Sequence, residues 1–460
     1  MGENGAGKTT LMRILYGAIS PSEGSFSVEG TVRNFKSSKE AIAAGIGMVS
    51  QHYAVIPELT CLQNLMLGAE PGAFLNGATA AARAQELADQ MGFQFDWHKE
   101  ASTLGPAGAQ KLEILKLLWR NARIMILDEP TAMLSPADGE ALFESLQKLT
   151  ANGATVLLVT HRLLEVFDFS KNVTVLRGGK QVANRPVSGL DAKELSELIV
   201  GHSLATFEQR EVTRTTKTLE VSNLTVKGDR GDDAVKSVSF DVYDGELVGI
   251  AGVDGNGQKE LLQNLFGVRP SSTGASKLYG DPIDSKATAE RVELGVRLIA
   301  EDRHSEAVVE RWPLSENALM GFQRMPQFQV KGQIMRQELL SKTEGMIARF
   351  NTKCSGPSQP MGALSGGNQQ RFVVARALAE DPKLILAFQP TRGLDIDATR
   401  AVYEGIRQQC SAGAGALVVS FDLDELLEFC DRILVMNGGE MKEAKVKDRA
   451  TVGQLMVGAE

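Results

Sequence analysis

The sequence predicts an α/β protein of two similar domains, each with a mostly parallel sheet core and a helical insert. Three observations carry this. Short β-branched runs such as "ATVLLVT" and "NVTVLRG" alternate with helical patterns such as "PADGEALFESLQKLTANG", which starts on proline and stops on glycine. The second half of the chain repeats the first. A glycine-rich loop runs directly into a helical pattern in each half.

The bulk properties agree. A chain of 460 residues is too long for one core, and two domains of ordinary size are expected. A composition of 43% hydrophobic and 23% charged residues is that of a globular protein, and a net charge of -8 argues against nucleic acid as the main partner. The longest apolar runs, "ATVLLVT" and "ELVGIAGV", fall far short of the ~20 residues of a membrane span and read as buried parallel strands. Cys61, Cys354, Cys410 and Cys430 show no CxxC pairing and read as buried or idle thiols.

The repeat sets the domain plan. "LMRILYG" at 11–17 matches "LLQNLFG" at 261–267, and "GIGMVSQ" at 45–51 matches "GVRLIAE" at 295–301, both at an offset of 250. "LDEPTAMLSP" at 127–136 matches "AFQPTRGLDI" at 387–396 at an offset of 260, so the second half carries ten extra residues between 301 and 387. The expected layout is a first domain at 1–200, a polar linker at 201–218 and a second domain at 219–460. Segment 63–118, rich in Ala, Leu and Gln, reads as the helical insert.

The first half carries a complete phosphate site. "GENGAGKTT", from Gly2 to Thr10, fits G-x-x-x-x-G-K-[ST]. Its residues Gly2, Glu3, Asn4, Gly5, Ala6, Gly7, Lys8, Thr9 and Thr10 are the expected nucleotide cradle: backbone N–H groups close on phosphates, Lys8 reaches the outer ones, and the Thr9 hydroxyl can ligate Mg²⁺. "RIMILDEPT" at 123–131 places Asp128 at a strand end, suited to the Mg²⁺ shell, and Glu129 next to it, suited to polarising a water. His161 follows the strand "TVLLVT" and could reach the γ-phosphate; Gln51, after "GIGMVS", could touch Mg²⁺ and water.

These pieces, in this order, resemble an ABC-type ATPase domain, and the resemblance covers the chain twice. "LSGGNQQRFVVARAL" at 364–378 matches the family's signature sequence. It is a helix N-terminus of small residues, where the Ser365 hydroxyl and the N–H groups of Gly366 and Gly367, with Asn368 beside them, can face a γ-phosphate. The resemblance implies that this phosphate belongs to ATP held by the opposite domain. The first P-loop with the second signature is then complete in Lys8, Thr9, Gln51, Asp128, Glu129, His161, Ser365, Gly366 and Gly367. The reverse pairing is degenerate. Gln258 stands at the lysine position, Lys259 at the Ser/Thr position, Glu301 at the glutamine, Phe388 and Gln389 at the acidic pair, and Phe421 at the histidine. The first signature, "LGPAGAQKLEIL", has Gly105 for serine and then Pro106, which offers no N–H. A second P-loop without lysine is thus expected to keep its glycines for the shape of its turn, with Lys259 as an alternative phosphate ligand.

Fused twin domains with "EDRH" at 301–304 resemble the ATPase subunits of bacterial sugar and nucleoside importers; "VSQHYAVIPELT" and "SFDLDELLEFCDRI" look closest to the nucleoside branch. That resemblance implies ATP and Mg²⁺, two membrane permease subunits, a solute-binding lipoprotein reached through them, and a place on the cytoplasmic face of the plasma membrane. Permease contact is expected near Gln51–Leu59 and Glu301–Trp312, where Tyr53, Val55, Ile56, Val308, Val309 and Trp312 look exposed. Alternatives are a ribose- or galactose-type importer ATPase and, from another class, a soluble twin-ATPase factor acting on the ribosome. The chain is also expected to lack a strand upstream of Gly2, which would leave its first half poorly folded and weak in ATP binding.

Overall fold

The computed structural model describes residues 1–3, 6–50, 54–69, 77–131, 134, 136–160, 162–201, 212–229 and 231–456, and at 106, 136 and 137 the backbone alone. The chain divides between Leu204 and Ala205 into two compact units. The first unit runs α1 (Lys8–Leu15), β1 (Phe26–Val28), β2 (Thr31–Arg33), α2 (Ser38–Ala43), β3 (Ile46–Val49), α3 (Cys61–Met66), α4 (Gly77–Gln90), α5 (Pro106–Trp119), β4 (Ile124–Asp128), α6 (Pro136–Ala151), β5 (Thr155–Val159), α7 (Leu163–Phe169), β6 (Asn172–Arg177), β7 (Lys180–Pro186) and α8 (Ala192–Val200).

The second unit opens with β8 (Lys217–Lys227), β9 (Asp233–Tyr243), β10 (Leu247–Ala251), α9 (Gln258–Phe266), β11 (Thr273–Leu278), β12 (Asp281–Pro282), α10 (Thr288–Glu293) and β13 (Val296–Ile299). It continues through α11 (Leu314–Leu319), β14 (Gln329–Val330), β15 (Gln333–Ile334), α12 (Arg336–Arg349), α13 (Gly366–Ala377), β16 (Leu384–Phe388), α14 (Ile396–Ser411), β17 (Gly415–Val419), α15 (Leu423–Phe429), β18 (Arg432–Asn437), β19 (Glu440–Glu443) and α16 (Arg449–Met456).

The second unit's main sheet has the order β13-β16-β17-β10-β18-β19, with the first five strands parallel and β19 antiparallel to β18. Every residue of β10, β16 and β17 is buried, as expected for parallel strands covered on both faces. Each fully buried aliphatic there contributes ~1.5–3 kcal/mol. A second, antiparallel sheet has the order β12-β11-β8-β9.

The first unit repeats the register. Ile124 pairs with Thr155 in β4·β5 as Leu384 pairs with Gly415 in β16·β17, an offset of 260 on both strands. Strands β3-β4-β5 form one parallel sheet, and β6 pairs with β7. Met1 lies against β6: its amine donates to Thr174 O at 2.8 Å and its carbonyl accepts from Leu176 N at 2.9 Å. Among the described residues no strand pairs on the far side of β5, whose first residues are exposed or half-buried where β17 is buried throughout.

The helical insert is present in both units, as α3–α5 and α11–α13. Thr60 and Gln63 cap α3 reciprocally, the side chain of each accepting from the other's backbone N–H. The extra residues of the second unit fall at the irregular turn Arg303–Ala307 and at the hairpin β14–β15, since the offset between matching helices grows from 253 at α11 to 259 at α12. Strand β8 begins at Lys217, slightly before the boundary expected at 219.

One expected surface residue is corrected. Val308 is only 7% exposed and packs in the second unit's core with Leu314 and Phe322, because the turn before it directs it inward. Ile56 and Trp312 are exposed, at 38% and 47%. Val55 is half-buried against the first unit's core, and Tyr53 lies outside the described residues. The four thiols form no disulfide, and Cys61, Cys410 and Cys430 are buried. Among the described residues no helix is long and apolar enough to cross a membrane.

Candidate functional site

The first P-loop is a turn that only glycine can close at two points. Gly2 has φ 147°, and a Cβ there would lie 2.1 Å from Leu176 O. Gly7 has φ 95° and forms the N-cap from which α1 starts at Lys8. Between them Ala6 is buried, and its N–H donates to Glu3 O at 3.1 Å. Lys8 Nζ folds back over the loop and donates to Gly2 O at 2.6 Å and Glu3 O at 3.0 Å. A lysine so placed holds its ammonium over the cradle. Thr10 is exposed on α1, and Asn4 and Gly5 lie outside the described residues.

The carboxylates arrive from β4. Asp128 ends the strand, is 3% exposed and accepts from Thr9 Oγ1 at 3.0 Å. Burial pushes its carboxyl above the ordinary aspartate range, with the neighbouring Glu129 adding to this; the Thr9 bond and the charges of Lys8 and Arg13 oppose it. A buried carboxylate beside a hydroxyl is a hard-oxygen pair that a divalent cation would stabilise in its charged form, so the donor set fits Mg²⁺. No group of three or more His, Cys, Asp or Glu with metal-binding geometry occurs among the described residues. Glu129 follows in the left-handed region, φ 52°, with its N–H on Val159 O at 2.8 Å. Gln51 and His161 lie outside the described residues.

The second P-loop keeps this backbone and replaces its chemistry. Gly252 has φ 153° and a Cβ there would meet Met436 O at 2.4 Å; at Gly257, φ 101°, it would meet Ala234 O at 2.0 Å. The glycines are therefore required by the fold itself, independent of any phosphate. Gln258 is 1% exposed and donates from Nε2 to Val253 O at 3.1 Å, the same link that Lys8 makes to Glu3 O. Lys259 turns away from the loop and pairs with Glu301 at 3.4 Å and Glu306 at 3.2 Å. Arg392 stands 3.5 Å from Glu301 on its other side. Where the first unit has Asp128, Phe388 ends β16, and its ring meets Phe421 edge-on with centroids 5.8 Å apart. Gln389 retains φ 48° and its N–H bond to Val419 O.

The signature lies at the start of α13, with Ser365 as N-cap and Gly366 and Gly367 as the first helical residues. Asn368 Nδ2 donates to Ser365 Oγ at 2.9 Å, which orients the hydroxyl. A Cβ on Gly366 would lie 2.5 Å from Arg303 Nη2, so the small residue makes room for a guanidinium that donates from Nε to Gln369 Oε1 at 3.1 Å. Gln370 Nε2 ties the same helix to Pro390 O at 2.7 Å. In the first unit Gly105 caps α5, which begins at Pro106; a Cβ on Gly105 would meet nothing within 4 Å, so packing does not forbid a serine there.

Sequence reasoning missed Arg303 as a neighbour of the signature and missed two glutamates, one buried and one half-buried. Glu165 accepts from the Thr131 and Thr160 hydroxyls, and Glu425 accepts from Thr391 and Ser420. Their spacing of 260 residues, shared with both threonines' matches, was the available signal.

Comparison with known proteins agrees with the geometry. The family model described as "ABC transporter" matches residues 1–132 and 235–392. A glucose import ATP-binding protein of Haloferax volcanii is 36% identical over all of this chain and 90% of its own length. A nucleoside import ATP-binding protein of Lactococcus lactis subsp. cremoris is 35% identical over all of this chain and 92% of its own. A ribose import ATP-binding protein of Oceanobacillus iheyensis is 33% identical over 99% and 91%. Among solved structures, that of an archaeal ribosome recycling factor with a ribosomal stalk protein aligns with TM-score 0.67 at 20% identity, over 96% of this chain and 84% of that one. That likeness shows the fold alone. With two P-loop cassettes, one signature helix and full-length relatives on every side of the comparison, the chain belongs to the ABC transporter ATPase family.

Proposed function

We propose that this chain is the ATP-hydrolysing subunit of a solute importer and that it contains one competent nucleotide site. The site combines the first unit's P-loop, carboxylates, Gln51 and His161 with the second unit's Ser365, Gly366, Gly367 and Asn368. The observation that carries this is the contrast between Lys8–Thr9–Asp128 and Gln258–Lys259–Phe388 on one shared backbone.

In the hydrolytic step Lys8 shifts its ammonium from the Gly2 and Glu3 carbonyls onto the β- and γ-phosphate oxygens, where its charge matters more as charge develops. Mg²⁺, when bound, neutralises the phosphate oxygens, and the Thr9 hydroxyl, the Asp128 carboxylate and Gln51 would hold it. Glu129 orients and polarises the attacking water, and His161 contacts the γ-phosphate. The Ser365 hydroxyl and the first N–H groups of α13 complete the phosphate's surroundings, with the helix dipole behind them.

The import relatives support a solute transporter with membrane permease partners; two permease subunits, a solute-binding lipoprotein beyond them and a peripheral place on the inner face of the plasma membrane are part of the proposal through the family resemblance. A nucleoside is the proposed solute, with a ribose- or galactose-type sugar as the second reading. Its support is the 35% identity to nucleoside and guanosine import relatives together with the stretches "VSQHYAVIPELT" and "SFDLDELLEFCDRI"; the 36% identity to a glucose import relative supports the sugar reading beside it. The exposed Ile56 and Trp312 are the proposed permease contacts. Uptake of labelled guanosine and of labelled ribose by cells expressing the chain with the permeases from its own gene neighbourhood tests the assignment. Uptake of ribose alone would replace the nucleoside reading.

A further inference from the structure

Glu165 is 7% exposed and joins two loops. Its Oε1 accepts from the Thr131 hydroxyl and its Oε2 from the Thr160 hydroxyl at 2.6 Å. Arg162 Nη1 lies 3.6 Å from Oε1, and the Arg162 N–H donates to Thr160 Oγ1 at 3.0 Å. Thr131 follows Glu129 by two residues, and Thr160 immediately precedes His161. The carboxylate therefore ties the loop after β4 to the turn after β5.

Glu129 gives this tie a purpose. Its φ of 52° is strained for a glutamate and persists only where the surroundings over-determine it. One anchor is its own N–H on Val159 O at 2.8 Å. The other is Thr131, across a single proline, held by Glu165. The first anchor ends on β5 and the second on the first turn of α7, whose Glu165 also holds Thr160 just after β5.

The second unit repeats the arrangement without the chemistry. Glu425 accepts from Thr391 Oγ1 at 2.9 and 2.7 Å, from Ser420 Oγ at 3.0 Å and from Tyr403 OH at 3.1 Å. There it supports Gln389 in the same left-handed backbone. The first unit has Phe143 in place of Tyr403 and Arg162 in place of Asp422, so Glu165 holds its two threonines without a third hydroxyl and beside a cation.

We infer that Glu165 is a positioning residue for hydrolysis, fixing the Glu129 loop against the turn that starts at Thr160 without touching nucleotide. This rests on the reading of Glu129 as the water-orienting carboxylate. A misplacement near 1 Å at a reacting group costs up to about a hundredfold in rate. In the full chain with its permeases, Glu165→Ala should lower kcat by about tenfold to a hundredfold while the ATP dissociation constant stays within about twofold. Glu165→Gln, which accepts from one threonine and donates to the other, should restore most of the rate. Thr131→Val, a milder change should Glu165→Ala fail to fold, should lower kcat several-fold. In a Glu129→Gln background Glu165→Ala should cost nothing further in single-turnover rate, because the residue it positions is already gone.

Loss of turnover in Glu129→Gln with unchanged kcat in folded Glu165→Ala or Thr131→Val would overturn this inference alone. So would losses that multiply in the double variant, or a fall in ATP binding that matches the fall in rate. Sustained turnover in Glu129→Gln would instead overturn the reading on which the inference rests.

Discussion

Phe388 and Phe421 meet edge to face, with ring centroids 5.8 Å apart and planes at 89°. They stand at the sequence positions that match Asp128 and His161 of the first unit, so a carboxylate and an imidazole are replaced by an aromatic contact. Edge-to-face pairs contribute about 0.5–1.5 kcal/mol beyond burial. The second cassette has exchanged site chemistry for packing at the same backbone positions.

Glu129→Gln should lower ATP turnover by about a hundredfold or more while bound ATP accumulates, since it removes the carboxylate that polarises water and keeps the side chain's shape. Steady-state phosphate release and filter-retained nucleotide measure the two effects together.

Lys8→Ala should weaken ATP binding by about 1.5–3 kcal/mol, a charge-assisted contact, and lower kcat as well. Gln258→Ala should leave ATP binding unchanged and cost about 1 kcal/mol of second-unit stability, the usual net value of one buried hydrogen bond. Calorimetric titration and thermal melts of the two variants side by side check both halves of the statement.

If the proposed pairing of the first P-loop with the second signature holds, Ser365→Ala should slow hydrolysis, because the bound phosphate would lose a hydroxyl donor. Gly105→Ser should fold normally, since a Cβ there meets nothing within 4 Å, and should create no second hydrolytic event. Rates of the two variants against the unaltered chain decide it.

Glu425 is half-buried beneath three hydroxyls, and its loss of water first and the Asp422 charge second push its carboxyl up to about 7. The sign follows from proton binding. Between an unfolded glutamate near 4.3 and a folded value near 7, the folded state holds the proton that the unfolded state has lost. Stability of the second unit should therefore fall as pH rises from about 4.5 to 7, by up to about 3 kcal/mol. Glu425→Gln should flatten that slope. Denaturant melts at a series of pH values read it directly.

The Glu246–Arg432 pair is buried and bidentate, with both nitrogen–oxygen distances 2.9 Å, and Arg432 also donates to Asp241 O at 2.6 Å. Glu246 keeps the exposed Arg214, 3.1 Å away, as its remaining partner, so Arg432→Leu should destabilise the second unit by less than the about 3–5 kcal/mol of an unpaired buried charge. Its melting transition should drop while ATP binding by the first unit persists.

Much of this was legible in the sequence. The 250- and 260-residue offsets reappear as identical strand registers. The glycines of the second P-loop were read correctly as turn formers, which the contacts at Gly252 and Gly257 demonstrate. What was illegible depends on side-chain direction. Lys259 is one position along the helix from Lys8's equivalent, about 100° round the axis, and this aims it at Glu301 and Glu306. Val308 was misread because a tight turn reverses its facing. Glu165 and Glu425 look like ordinary polar residues of amphipathic helices until the fold brings two hydroxyls onto Glu165 and three onto Glu425.

The central claim is that one ATP is hydrolysed per chain in each cycle, and single-turnover hydrolysis with counted bound nucleotide tests it most directly. The account predicts one phosphate released per chain, abolished by Lys8→Ala and untouched by Gln258→Ala. Two phosphates per chain, or equal losses from the Lys8 and Gln258 changes, would contradict it.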